Sequence, residues 1–242
     1  LQRDLGAGRG ANRHFLGPRL PGDWRWTLVD HDPALLRLAA TGPDVPAQRV
    51  LDLARDLDAL ALPEGGVVTA SALLDLVSAS WLEQLAARCT AAGAAILFAL
   101  TYDGRTTCKP IDRFDRCIVS LVNRHQAGDK GFGPALGPAA AAEAARVFAA
   151  LGYRCCRVAS DWRLGPDEAP LQAELLEGWA RAAAELAPGE RRPIEAWLTR
   201  RRRHLDRGRS WITVGHEDLY GWPSASTGGT GGTGGERGQD GR

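Results

Sequence analysis

The residues best suited to chemistry lie at the start of the chain, in Asp4-Leu5-Gly6-Ala7-Gly8-Arg9-Gly10, with a helix beginning at Ala11-Asn12-Arg13-His14-Phe15. Three glycines on alternate positions let the backbone turn tightly and approach a ligand without interference from Cβ. The first N–H groups of the following helix have no intrahelical partners, and they favour a negative group. Twenty residues after Gly10, the run Trp26-Thr27-Leu28-Val29 ends at Asp30. A carboxylate at the tip of a strand is placed to accept both hydroxyls of a ribose. Together these features imply a nucleoside-containing ligand with an anionic end.

Such a site needs a frame of strands and helices, and the hydrophobic pattern supplies one. Strand-like runs fall at Trp26–Asp30, Arg49–Leu53, Gly66–Ala70, Ala94–Leu100, Tyr153–Ala159 and Ser210–Val214, several of them nearly continuous in Val, Ile and Leu. Asp32-Pro33 reads as an N-cap and N1 proline opening a helix over Ala34–Ala40. Ser80-Trp81-Leu82-Glu83 reads as a capping box for a helix that closes at Gly93. Further helical faces run through Ile111 to His125, Pro138 to Leu151 and Leu171 to Leu186. This alternation predicts an α/β, Rossmann-like fold: a mostly parallel, seven-stranded sheet with helices on both faces. Ligands in such sheets bind beyond the carboxyl ends of the strands, where the strand order switches. Residues 1–223 read as one domain, and the Gly/Thr/Ser-rich stretch 224–242 as a disordered tail.

Composition removes several alternatives. The chain has 242 residues, 44% hydrophobic and 24% charged, which is ordinary for a soluble domain. No apolar run reaches the 18 or so residues that span a bilayer; the longest, Val67 to Leu82, is broken by Asp75 and several hydroxyls. A net charge of +1 excludes polyanion wrapping by bulk electrostatics. Only Lys109 and Lys130 among the 30 cationic residues are lysines, a bias that fits a GC-rich genome and argues against nucleic acid as a partner. Five cysteines without metal-ligand spacing indicate neither a disulfide framework nor a metal site, and reduced thiols place the protein in a cytoplasm. The chain contains no Met and opens at Leu1, from which a missing N-terminal segment is expected.

Two cofactor classes fit the glycine motif. Gly6 to Ala11 satisfies the G-x-G-x-x-A dinucleotide fingerprint, which would make the protein an NAD(P)-dependent oxidoreductase. Asp4 to Gly10, as D-x-G-x-G-x-G, resembles motif I of the class I S-adenosylmethionine-dependent methyltransferases. An acid two residues before the first glycine would repel a pyrophosphate, which favours the methyltransferase. The resemblance implies S-adenosylmethionine as cofactor, with Asp4 serving its amino group, and Gly6, Gly8 and Gly10 forming the turn. It implies that Asp30 binds the ribose, that Asp52 and Leu53 contact adenine, and that Ser71 lies at the strand end under the reacting methyl. The first strand is truncated and polar where the family has an apolar run, so a non-catalytic or incomplete domain is a third reading. The fourth strand ends Thr69-Ala70-Ser71-Ala72, with neither the Asn/Asp-Pro-Pro-aromatic motif of exocyclic base amine methylation nor a Pro-Cys nucleophile. By elimination, the acceptor becomes an oxygen or nitrogen of a small molecule.

Alignment of nucleophile, methyl and sulfur, with exclusion of water, is most of what this chemistry asks of a protein. Residues 103–138 read as an acceptor-site insertion or lid, rich in polar groups and glycines. His125 is its general-base candidate by virtue of its ordinary pKa range. Trp81 and Tyr102, near the ends of the fourth and fifth strands, are the aromatic candidates for touching the acceptor. The cluster Arg200–Arg203, with eight arginines between Arg191 and Arg209, reads as a solvated helix face.

Overall fold

Alternation along Trp26–Asp30 divides the molecule into layers. Trp26 and Leu28 are buried on one side with Leu36 and Ala39, whereas Val29 is buried on the other with Leu5, Val68 and Leu82. Successive side chains of a strand point to opposite faces, so one short strand feeds two cores. The computed structural model describes residues 1–40 and 45–224.

Eight strands form one sheet: β1 (Gln2–Leu5), β2 (Trp26–Asp30), β3 (Ala47–Val50), β4 (Val67–Ser71), β5 (Ala95–Lys109), β6 (Tyr153–Ala159), β7 (Trp162–Leu164) and β8 (Trp211–Pro223). Seven run in the order β3-β2-β1-β4-β5-β8-β6, while β7 pairs with β8 beside them. The first five are parallel to one another, and β8 is antiparallel to β5, β6 and β7. The helices are α1 (Ala11–Leu16), α2 (Pro33–Ala39), α3 (Ala79–Ala91), α4 (Asp115–Gln126), α5 (Ala140–Ala150), α6 (Ala169–Leu186) and α7 (Arg191–Asp206). This is the Rossmann-like, mostly parallel architecture expected from the sequence. It departs from the doubly wound order 3-2-1-4-5-6 of dinucleotide-binding sheets, because an antiparallel strand enters between β5 and β6. The order reverses at β1, which lies between β2 and β4.

Several boundaries differ from the sequence reading for identifiable reasons. The third strand is Ala47–Val50, not Arg49–Leu53, because a turn opens at Asp52, whose carbonyl accepts the Asp56 N–H at 2.8 Å and whose side chain accepts the Ala54 N–H at 3.0 Å. Ser78, not Ser80, caps α3 by accepting the Trp81 N–H at 3.3 Å, which puts Ser80 inside the helix. β5 continues nine residues beyond the expected Leu100 to Lys109, through two irregularities in its pairing with β8. β8 likewise continues past Val214 to Pro223, through Gly215 and Gly221. Helix α5 follows a 3-10 turn at Gly137–Ala139, so it begins at Ala140. Residues 225–242 of the expected tail lie outside the described residues; Ser224 donates its N–H to the Gly152 carbonyl at 2.9 Å.

The far ends of β5 and β8 carry a separate core. Tyr102, Cys108, Ile212 and Val214 pack with Ile118, Leu121 and Val122 of α4, Leu176 and Ala180 of α6, and Ile194 and Trp197 of α7. Asp115, the first residue of α4, pins α7 in place. It accepts the Trp197 indole N–H at 2.8 Å and pairs twice with Arg201, whose Nη1 also donates to the Pro110 carbonyl at 2.5 Å. Arg200 forks onto Asp112 at 2.5 and 3.0 Å, and Arg202 pairs with Glu177 at 2.6 Å. The arginine run on α7 is thus not simply a solvated face, since three of its members hold acids of α4, α6 and the turn before α4. Among the described residues no helix is long and apolar enough to cross a membrane.

Arg201 is fully buried, and breaking a buried pair leaves its partner uncompensated, at a cost of about 3–5 kcal/mol. Arg201→Ala is expected to lower the urea midpoint accordingly. Arg203→Ala, on an exposed side chain of the same helix, is expected to change the unfolding free energy by no more than about 0.5 kcal/mol and so to leave the midpoint almost unmoved.

Candidate functional site

The carboxyl end of β1 opens into a turn built from left-handed residues. Gly6, Gly8 and Gly10 have φ of 61°, 51° and 79°, a region that side chains disfavour. Ala7 donates to the Val29 carbonyl at 3.0 Å and Gly10 to the Ala7 carbonyl at 2.8 Å, which ties the turn to β2 and closes it. A Cβ on Gly10 would come within 3.1 Å of the Ala39 methyl, whereas one on Gly8 would meet no atom within 4 Å. The crest of the turn is therefore open and its far side is packed against α2.

Asp30 joins this turn directly. Its Oδ2 accepts the Gly8 N–H at 2.8 Å and its Oδ1 the Asp32 N–H at 3.0 Å, with His31 Nδ1 3.3 Å from Oδ1. Each carboxylate oxygen can accept a second hydrogen bond, so the group that positions Gly8 still has acceptor capacity.

Asp4 lies beneath the turn, 1% exposed. Its Oδ1 accepts Asn12 Nδ2 at 3.0 Å and Thr69 Oγ1 at 2.7 Å, linking β1 to α1 and β4. Burial pushes its carboxyl up to about 6, against the two hydrogen bonds that favour the charge and with the nearby Asp30 adding to the rise. Geometrically it braces the loop from below. Asp52 follows β3, caps the Ala54 N–H at 3.0 Å and keeps its side chain 44% exposed. Leu53 is buried in the core, and Ser71 is the last residue of β4.

The acceptor candidates are more scattered. Trp81 is 5% exposed, with its indole N–H donated to the Leu53 carbonyl at 2.7 Å and its ring edge-on to Phe132, centroids 5.4 Å apart. A cavity of about 140 Å³ beside them is lined by Arg55, Ser78, Ser80 and Gln84 as well. Phe132 and the Leu136 N–H, bonded to the Val77 carbonyl at 2.8 Å, bring the 127–136 loop onto the start of α3. Tyr102 is 8% exposed and gives its hydroxyl proton to Asn123 Oδ1 at 2.7 Å. His125 sits in the groove between α4 and α6, with Nε2 3.0 Å from Glu185 and Nδ1 3.3 Å from Lys130. Its bonds tie it to those helices and not to the glycine turn.

Sequence reading missed two residues at this end of the sheet. Asp75, in the 3-10 turn Leu74–Leu76 after β4, and Thr101, in β5, are buried, and each has a side-chain oxygen with no partner. Neither sits in a motif; the only sequence signal was an acid inside the apolar stretch 67–82. Among the described residues no cluster of His, Cys, Asp or Glu could hold a metal ion.

No family model matches the chain, and no curated protein matches it in sequence. Solved structures do match. A protein of Bacillus halodurans, provisionally named a methyltransferase, is 10% identical with a TM-score of 0.50, covering 92% of each chain. The cyclopropane synthase MmaA2 of Mycobacterium tuberculosis is 13% identical over 90% of this chain and 77% of that one, TM-score 0.46. The Haemonchus contortus phosphoethanolamine N-methyltransferase 2, in complex with S-adenosyl-L-methionine, is 12% identical over 92% of this chain and 48% of its own, TM-score 0.43. At these identities the likeness describes the fold.

The Asp4 carboxyl gives the site a pH signature. It titrates near 6 in the folded chain against 3.8 ordinarily, so between those values the folded state holds a proton that the unfolded state releases. Stability therefore falls as pH rises through that window, and the full cost is present above about 6. Asp4→Asn, which keeps an acceptor for Asn12 and Thr69, is expected to stabilise the protein by about 2–3 kcal/mol at pH 8 and by far less at pH 4. Urea denaturation at the two pH values measures the difference.

Proposed function

We propose that the protein is an S-adenosylmethionine-dependent methyltransferase acting on an oxygen or nitrogen of a small molecule. One observation carries the reading: at the point where the strand order reverses, the Gly8 N–H is bonded to Asp30 across an open, left-handed turn. A ligand can lie against the main chain there, while Asp30 accepts ribose hydroxyls with its remaining lone pairs. The resemblance gives adenine to Asp52 and Leu53, just after β3, and the side under the reacting methyl to Ser71, at the end of β4. Asp4 contributes by fixing Asn12 and the turn, and the acceptor side falls to Tyr102 of β5 and to residues 103–138, Phe132 among them. S-adenosylmethionine supplies a sulfonium-activated methyl group. The protein's own part is to orient the acceptor, exclude water and take up a proton where the nucleophile carries one. The provisional name of the Bacillus halodurans neighbour and the motif I resemblance support the same reading. An NAD(P)-dependent oxidoreductase fits the glycines equally well but not the antiparallel strand between β5 and β6 or an acid buried under the turn.

Thermal denaturation with S-adenosylmethionine, S-adenosylhomocysteine, NAD or NADP tests this. A ligand at 100 times its Kd stabilises by about 2.7 kcal/mol, hence about 5–10 °C at this size. The methionine-derived pair is expected to raise the Tm and the dinucleotides to leave it unchanged, with the rise lost in Asp30→Ala. A shift with NAD or NADP alone refutes the proposal.

A further inference from the structure

Orphaned polar atoms are rare inside native proteins, and each asks for a ligand, a water or a function. Two lie at the same end of the sheet, Asp75 Oδ1 in the turn Leu74–Leu76 after β4 and Thr101 Oγ1 in β5, whose next residue, Tyr102, gives its main-chain N–H to the Asp75 carboxylate. Asp75 is 7% exposed and Thr101 fully buried. The backbone around them is strained as well. Ala72 and Leu100, the residues where β4 ends and β5 first kinks, have φ of 51° and 53° without being glycine. Such conformations persist where surrounding contacts impose them, and they gather at functional sites. Here the Ala72 N–H is held by the Ala99 carbonyl at 3.0 Å and the Leu100 N–H by Asp218 Oδ1 at 2.9 Å. The same loop borders the glycine turn, since Leu73 lies 3.5 Å from where a Gly6 Cβ would be.

We propose that Asp75 is the catalytic residue that receives the acceptor's proton, with Thr101 Oγ1 as the second polar contact of the acceptor subsite. This rests on the methyltransferase reading and narrows it to small molecules whose nucleophile is a hydroxyl or an amine. In the step, the nucleophile's lone pair forms the new bond to the methyl carbon and the carbon–sulfur bond breaks with its pair kept by sulfur. The proton on the nucleophile passes to Asp75 and from there to solvent. No cation opposes this role. Of the ionisable groups on the elements packed against the Asp75 turn, Tyr102 on β5 is neutral at physiological pH and its own pKa is raised by burial. Asp103 and Arg105 pair with each other, as do Glu143 and Arg146 on α5. Burial is the chief cause holding the Asp75 carboxyl at about 6, offset in part by the main-chain N–H groups of Asp75 and Tyr102. A base in that range is mostly ionised at neutrality yet close enough to it in pKa to accept a proton there.

The test uses the whole chain as wild type and as Asp75→Asn. Binding of S-adenosylmethionine, followed by calorimetry, is expected to be equal in the two. Transfer of labelled methyl from S-adenosylmethionine into the low-molecular-weight fraction of a cell extract is then followed from pH 5 to 9. The wild-type rate is expected to rise through about pH 6, and D75N to be about 100-fold slower without that rise. Because the wild-type carboxylate is charged and buried without a cation at pH 8, D75N is also expected to melt higher than wild type at pH 8, with the two converging at pH 4. A D75N protein with the wild-type rate and pH step, or one that melts lower at pH 8, overturns the assignment of Asp75. Failure of the wild type to bind S-adenosylmethionine overturns the methyltransferase reading itself.

Discussion

A carboxylate buried in the middle of a parallel sheet is the constraint around which the ligand-binding end is organised. Asp4 sits in the four-residue strand β1, flanked by β2 and β4, and its one oxygen holds both the helix that follows the turn and the strand beyond it. Remove those two donors and the charge is uncompensated; remove the charge and Asn12 and Thr69 lose their common anchor. The glycines can turn left-handed above it because the base of the turn is fixed. Asp30 repeats the device one strand away, using its carboxylate to hold Gly8 from the side. Two acids thus clamp one loop, and both are costly to bury, which is the pattern expected where function and not stability selects the residue.

The parts of this arrangement that were legible in sequence are those set by local pattern. Trp26–Asp30 and Tyr153–Ala159 are strands with the expected limits because their apolar residues and flanking turns agree. Motif spacing likewise put Asp30 beside the glycine turn. Long β5 and β8 were cut short because Gly104, Gly215 and charged residues interrupt the apolar signal, although a Cβ on Gly215 would collide with Asp103 across the ladder. Ser80 looked a better cap than Ser78 only because a glutamate follows it three residues on; the main chain of Trp81 decides otherwise. Asp75 and Thr101 were invisible for a different reason. What distinguishes them is the absence of a partner, a property of the folded neighbourhood and not of any spacing.

Composition alone was a poor guide to the arginines. The preference for arginine over lysine does not say where the side chains end up. Arg200, Arg201 and Arg202 each find a carboxylate on a different element, and Arg201 vanishes into the core with an indole and a carbonyl for company. The planar guanidinium, able to bond two or three acceptors at fixed angles, suits that role in a way an ammonium does not. The helices of the second core are thereby locked to one another by polar geometry in addition to the contacts of Ile118, Leu176 and Trp197.

The order of the strands has a further consequence for how the chain comes off the ribosome. Among the described residues β6 pairs in the sheet only with β8, and Arg157 of β6 meets Glu217 of β8 from 60 residues away. Since synthesis is vectorial, β6 and the outer half of β5 emerge with unpaired edges and wait for β8. The glycine turn, by contrast, needs only the strands up to β5. In the order of synthesis the strands around the glycine turn precede Trp211–Pro223, which pairs between β5 and β6 and brings the Asp218 that holds Leu100.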